Sequence, residues 1–286
     1  MPELPEVESL ARFLGEKATG SVIERTELVA FAALKTFDPP LDALHGRAIT
    51  GCARRGKFLL VHADPLWLVL HLARGGWVRW SDQLAPARAK PGKGPLALRV
   101  RLGGGAGFDV TEAGTEKRLA AYVVRGVEEV EGVARLGPDP LAPGFDARAL
   151  GAALAEHGGQ LKAALTTQSV VAGVGNAYSD EALHAARLSP FKSAAKLGEE
   201  EVARLHAALV EVLHDAVARS AGLPAGGLKA EKKSGLRVHG RTGQPCPVCA
   251  DTIREVSFAT KSLQYCPTCQ TGGKPLADRR LSRLLK

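Results

Sequence analysis

Apolar and polar positions alternate through much of the first half of the chain and recur at helical spacing through much of the second. Val7, Leu10 and Leu14, with Glu6 and Glu8 in the first turn, predict a helix over residues 5–18. Strand-like segments follow at 21–28, 48–53, 57–62, 66–72, 77–80 and 96–102. In the last of these, Leu96, Leu98, Val100 and Leu102 alternate with Ala97, Arg99 and Arg101, as a half-buried strand requires. Short strands separated by glycine-rich turns predict a β-sandwich, with an exposed loop at 86–95.

Near residues 126–145 the pattern changes. Gly137-Pro138-Asp139-Pro140 and Pro143-Gly144 break regular structure. Beyond them Asp146 can cap a helix carrying Leu150 and Leu154, which Gly158-Gly159 ends. A short helix is expected over 160–167, another from a capping Asn176 to Arg187, and a long one over 199–220 with Val202, Leu205, Leu209, Val212 and Ala216 on one face. The glycine-rich, basic stretch 221–235 reads as a mobile loop. The expected fold class is α+β, with an N-terminal β-sandwich over 1–130, a linker over 131–145, a helical domain over 146–225, a loop over 226–236 and a small terminal unit over 237–286.

The length of 286 residues fits two domains and an appendage. There is no apolar run of membrane-spanning length and no basic-then-apolar leader, so the expected location is cytoplasmic, at the nucleoid. The net charge of +8 favours a polyanionic partner, above all nucleic acid. Aromatic residues make up only 5%, which argues against binding built mainly on base stacking.

Four of the five cysteines form Cys246-Pro-Val-Cys249, sixteen residues, then Cys266-Pro-Thr-Cys269. Two such knuckles can close a tetrahedral site for one zinc ion. All four positions would be filled by protein, so the metal is expected to be structural, holding together a segment too small for its own core. Cys52 lies in the alternating stretch 49–61 and is read as a small buried hydrophobe.

Three further features carry chemistry. Removal of Met1 would leave Pro2 as a secondary amine, able to attack a carbon at the aldehyde oxidation level, with Glu3 beside it to move protons. The positive end of the first helix dipole would help keep that amine neutral. The plainer reading is that Pro2 and Pro5 simply open a helix. Gly173-Val174-Gly175-Asn176 allows close backbone approach and a helix N-terminus suited to phosphate, with Lys162 in reach; a tight helix connection explains it as well. Arg54-Arg55-Gly56-Lys57 places a lysine at a strand start, as a phosphate contact or as an exposed basic turn.

Taken together these motifs resemble the bacterial formamidopyrimidine-DNA glycosylase and endonuclease VIII family of base-excision repair enzymes. The resemblance runs in order through Pro2-Glu3-Leu4-Pro5-Glu6-Val7-Glu8, Arg55-Gly56-Lys57, Leu136-Gly137-Pro138-Asp139-Pro140-Leu141, Gly173-Val174-Gly175-Asn176 and Val238-His239-Gly240-Arg241 before the cysteines. The start is similar to the formamidopyrimidine branch.

The resemblance implies a helix–two-turn–helix element, a zinc finger and a basic cleft holding duplex DNA that contains a damaged base or an abasic site. It implies that Pro2 is the nucleophile at the sugar C1′, that Glu3 is the general acid/base and that Glu6 supports them. Lys57 contacts the phosphate beside the lesion, Lys162 and Asn176 hold the DNA backbone, Arg241, leading into the finger, binds DNA as well, and Arg74 either enters the DNA or is a solvated turn residue. The flipped base leaves and a Schiff base allows strand nicking by a monomeric, bifunctional glycosylase and lyase.

The chain departs from the family pattern at four places. Lys261 stands where the finger usually presents an arginine, and lacks its bidentate fork. Arg74 stands at the methionine of the usual Met, Arg and Phe wedge, and 108–115 shows no Arg-x-Phe. Thr167 replaces a common aspartate. The stretch 221–235 does not resemble a loop that caps 8-oxoguanine. The expected substrates are oxidised or ring-opened purines. The alternatives are another lesion (oxidised pyrimidine, abasic site or bulky adduct) and a damaged-DNA-binding protein without catalysis.

Overall fold

A computed structural model describes residues 1–87, 89, 94–257 and 262–277. Half of the loop expected at 86–95 (residues 88 and 90–93), and Lys261, lie outside the described residues. The chain divides into two units, 1–135 with 219–231, and 136–218 with 232–286.

The first unit opens with helix α1 (Leu4–Ala18), which buries Leu4, Val7, Leu10 and Leu14 on one face. Eight strands follow: β1 (Ile23–Leu28), β2 (Gly51–Arg55), β3 (Phe58–Ala63), β4 (Leu66–His71), β5 (Gly76–Ser81), β6 (Leu96–Leu102), β7 (Gly107–Glu112) and β8 (Ala120–Val124). They form two four-stranded antiparallel sheets, β1-β6-β7-β5 and β2-β3-β4-β8. Leu59, Val61, Leu68, Leu70 and Val123 from one sheet and Leu98, Val100, Phe108 and Val110 from the other share one core with α1. This is the sandwich arrangement that strand alternation predicts. The sequence reading did not single out β7, Gly-Phe-Asp-Val-Thr-Glu, which alternates over a short span, or β8, Ala-Ala-Tyr-Val-Val, a brief apolar run without alternation. A short helix, α2 (Glu131–Ala134), closes the N-terminal part of this unit.

Segment 219–231 completes the first unit. The stretch 221–235, expected to be a loop, is one over 221–227 and a helix over 228–235. Leu223, Ala225 and Leu228 pack into the sandwich core, and the residues from Leu228 to Gly235 form helix α7. The Trp77 indole N–H donates to the Ala225 carbonyl at 2.9 Å, and the Lys229 ammonium lies 4.6 Å from the Trp77 ring centroid. Arg219 and Ser220 both bond to the Glu231 carboxylate. The Trp77 anchor depends on a partner 148 residues away, which local composition cannot reveal.

The second unit is built from α3 (Ala147–Ala155), α4 (Leu161–Thr166), α5 (Asn176–Ala185) and α6 (Glu199–Arg219), followed by the hairpin β9 (Arg254–Ser257) and β10 (Ser262–Tyr265) and helix α8 (Pro267–Thr271). Asp146 caps α3 as expected, accepting the Ala149 N–H at 2.7 Å. On α6 the buried stripe is Leu205, Ala208, Leu209, Leu213, Ala216 and Val217; Val202 and Val212 are only half-buried. Gly137 is held by contact: an added Cβ would lie 2.3 Å from the Ser169 carbonyl oxygen.

Candidate functional site

The N-terminal segment of the first unit is fixed by its own first turn. Glu3 is the N-cap of α1, and Pro5 in that turn needs no N–H partner. The Glu6 carboxylate turns back and accepts the Glu3 backbone N–H at 2.8 Å. Pro2 is buried, and Glu3 and Glu6 are almost wholly so. Two carboxylates are thus held within one turn of the chain's second residue, at the positive end of a fifteen-residue helix.

Lys57 sits in a hairpin whose strand ends Arg55 and Phe58 pair directly, leaving Gly56 and Lys57 as the two-residue turn. Gly56 has φ +54°, the left-handed conformation such a turn needs at its first central position. Lys57 is buried. The hairpin packs on α1, and Arg54 locks the two together: its Nε donates to Glu8 Oε2 at 3.0 Å. The pattern of positions did not single out this pair.

His71 ends β4 opposite Phe58 and packs against it with the rings tilted at 44° and their centroids 4.9 Å apart. Burial, and then the Lys57 charge, lower its pKa below the ordinary imidazole range. Arg74 follows in the turn between β4 and β5, with its side chain exposed. That turn is tight: a Cβ on Gly76 would meet the Leu72 carbonyl oxygen at 2.1 Å, and one on Gly75 the Ala113 oxygen at 2.2 Å. Leu119, in the connection to β8, is buried, and the Glu112 carboxylate accepts the N–H groups of Arg118 and Leu119. Cys52 packs against the sandwich core, and burial pushes its thiol up to about 12. It packs as a small hydrophobe but is half-buried rather than buried as expected.

In the second unit, Lys162 is buried and engaged within the protein. Its buried ammonium donates to Asn176 O at 2.7 Å, Ser179 Oγ at 2.8 Å and Asp180 Oδ1 at 2.6 Å. The N-cap of α5 is Gly175, and Asn176 is the first helical residue rather than the cap. The Asn176 side-chain amide donates to Ser262 O at 2.6 Å. Arg241 is likewise engaged within the protein, through Leu236 O at 2.6 Å, Gln244 Oε1 at 3.1 Å and Ser234 O at 3.3 Å.

The feature that sequence reasoning missed is the polar face of α5. Asp180 accepts from His239 Nδ1 at 2.7 Å and from the Gln264 N–H at 3.2 Å. Glu181 accepts three consecutive N–H groups, those of Arg237, Val238 and His239, at 2.8–2.9 Å. His184 places Nε2 3.2 Å from Cys246 Sγ. Positions 176, 180, 181 and 184 share one helical face, and that spacing is the signal available in the sequence. A polar stripe ordinarily faces water; this one is buried against the cysteine segment.

The four sulfurs of Cys246, Cys249, Cys266 and Cys269 all lie within 4.8 Å of one another. Their separations include 3.3 Å for Cys249–Cys266, 3.5 Å for Cys249–Cys269 and 3.9 Å for Cys246–Cys269. A tetrahedral zinc with bonds of about 2.3 Å requires sulfur–sulfur edges of about 3.8 Å. The donor set and its spacing fit zinc.

Comparison with known proteins joins these parts. Residues 1–113 match the family model for the formamidopyrimidine-DNA glycosylase N-terminal domain, residues 136–224 that for the formamidopyrimidine-DNA glycosylase H2TH domain, and residues 243–272 that for the zinc finger found in FPG and IleRS. A formamidopyrimidine-DNA glycosylase of Symbiobacterium thermophilum is 36% identical over 291 residues, covering 98% of this chain and 93% of the relative. The crystal structure of the MutM (Fpg) protein of Thermus thermophilus superimposes with a TM-score of 0.79 at 34% identity, over 96% of this chain and 100% of that one. The Lactococcus lactis Fpg in complex with DNA containing an abasic site gives 0.83 at 27% identity, over 94% and 99%. The chain belongs to the formamidopyrimidine-DNA glycosylase family of DNA-repair enzymes.

Proposed function

We propose that this protein removes oxidised or ring-opened purines from duplex DNA and then nicks the strand, using the amine of Pro2 after loss of Met1. The observation that carries this reading is the N-terminal turn, in which Glu6 fixes the Glu3 backbone directly beside Pro2. In the reaction, the Pro2 nitrogen bonds to C1′ as the glycosidic bond breaks and the base departs with a proton. Glu3 protonates the ring oxygen as the sugar opens to an iminium, and then serves the proton transfers of elimination. Glu6 keeps Glu3 in place. Lys57 holds the phosphate beside the lesion, Arg74 enters the space left by the flipped base, and Lys261 neutralises a further phosphate.

Asn176 belongs to the DNA-backbone contact of the helical unit. Lys162 and Arg241 support it from within by ordering α5 and the segment entering the finger. Cys246, Cys249, Cys266 and Cys269 bind one zinc, which supplies structure and no reaction step. The protein acts as a monomer on damaged duplex DNA at the cytoplasmic nucleoid. Among the described residues no helix is long and apolar enough to cross a membrane.

A second reading, that the lesion is an oxidised pyrimidine, abasic site or bulky adduct, is favoured by one observation. The segment at 221–228 is anchored to the sandwich core through Ala225 and Leu228, with Leu223 partly buried beside them. Borohydride trapping on abasic-site DNA tests the chemistry, after mass spectrometry has established that Met1 is removed. A covalent adduct abolished by Pro2→Gly is expected. No adduct from correctly processed protein would leave only a damaged-DNA-binding role. A panel of single-lesion duplexes separates the two substrate readings.

A further inference from the structure

We infer that His184 is a positioning residue for the metal centre, donating its Nε2–H to the Cys246 thiolate and so tying the finger to helix α5. The inference rests on the reading of the four cysteines as zinc ligands. Four thiolates around a dication leave two excess negative charges. Cys246 and Cys266 are buried, so water cannot solvate that charge on their side of the cluster. N–H donors to sulfur must do so instead. Among the described residues, Cys246 Sγ receives the Val248 N–H at 3.5 Å, a weak contact. The 3.2 Å contact from His184 is the short one, and the imidazole is itself buried with 4% of its surface exposed. Its Nε2 therefore meets a sulfur in a place closed to solvent.

The position of His184 makes the contact more than local. It lies in the last turn of α5, the helix whose residues Asn176, Asp180 and Glu181 already grip residues 237–239, 262 and 264. From the C-terminal side, the Gln270 amide returns to Leu188 O at 3.0 Å while its oxygen accepts the Cys266 N–H at 2.9 Å. A ligand sulfur held by a helix of the neighbouring layer shares that helix's rigidity. Groups that orient metal ligands from outside typically change metal affinity by roughly 10–100-fold when removed. His184 is placed to do this for Cys246 through a charge-assisted N–H···S bond.

The test uses full-length protein. Metal content is measured first, and protein purified without zinc or any substitute metal would overturn both this inference and the zinc reading. On metal-loaded protein, the rate of zinc transfer to a chromogenic chelator is compared among the parent, His184→Phe and His184→Gln. Loss of the N–H in His184→Phe should accelerate transfer roughly 10–100-fold, and the amide N–H of His184→Gln should restore most of the difference. Equal rates in all three would overturn the inference while leaving the zinc reading intact. Should His184→Phe fail to fold, the parent answers the question by itself. With 113Cd in place of zinc, the His184 Nε2 proton should show a scalar coupling to the metal across the hydrogen bond. A coupling absent from that proton, or a direct metal–nitrogen coupling that makes the imidazole a ligand, would overturn the assignment.

Discussion

The Lys162 ammonium lies 2.6 Å from the Asp180 carboxylate inside the helical unit, with both side chains largely removed from water. Asp180 turns its other oxygen to His239, so one carboxylate joins α4, α5 and the approach to the finger. Breaking a buried pair by removing one partner typically costs about 3–5 kcal/mol, because the other charge is left buried and uncompensated. Lys162→Met should destabilise the protein by about 3 kcal/mol, towards the low end because His239 stays on Asp180. Chemical denaturation measures this. DNA affinity per folded molecule should change much less than stability. A large affinity loss at unchanged stability would restore Lys162 to direct phosphate contact.

Helix α5 and the finger share so many bonds that metal removal should not stay local. Chelation is expected to speed amide exchange first in 238–272 and then in α5, whose polar face loses its partners. Hydrogen exchange with mass spectrometry follows both segments. Unchanged protection of α5 after metal loss would show that the helix stands without the finger.

Trp77 holds segment 219–231 through an indole hydrogen bond to the Ala225 carbonyl, beside the Lys229 ammonium over its ring and the core packing. Trp77→Phe keeps most of the apolar contact but leaves a buried carbonyl unpaired, at a cost of about 1–3 kcal/mol. The expected result is faster proteolysis between 219 and 231 together with a lower melting temperature. If the segment must move to admit a base, the same variant should alter which lesions are processed fastest.

Burial, together with the Lys57 charge, holds the His71 pKa below its ordinary value. The unfolded chain takes up this proton near pH 6.5, whereas the folded chain resists it. The unfolded state therefore binds more protons in that window, and stability should be lost as the pH falls below about 6.5. Above it the contribution is complete. Denaturation midpoints from about pH 7.5 down to 5 should show this slope, and His71→Gln should flatten it. An NMR titration midpoint of His71 at or above 6.5 would contradict the neutral imidazole.

Local chemistry made much of this protein legible before folding. The paired knuckles from Cys246 to Cys269, the Pro2-Glu3 start, the helix over Val7, Leu10 and Leu14 and the alternation of Leu96 to Leu102 are properties of neighbouring residues. Each depends on periodicity, covalent constraint or ligand spacing within a few turns, so the chain alone determines it. Two readings could be settled only in three dimensions. Asn176, Asp180, Glu181 and His184 form a polar stripe that sequence logic assigns to water, yet it is buried, because backbone N–H groups from 237–239 and 264 and a ligand sulfur meet it there. Segment 221–228 has the composition of a loop and is fixed because Trp77 and the sandwich core receive it. Whether a polar or glycine-rich stretch is solvated or buried depends on the partner that arrives from elsewhere in the chain, and only the tertiary structure supplies that partner.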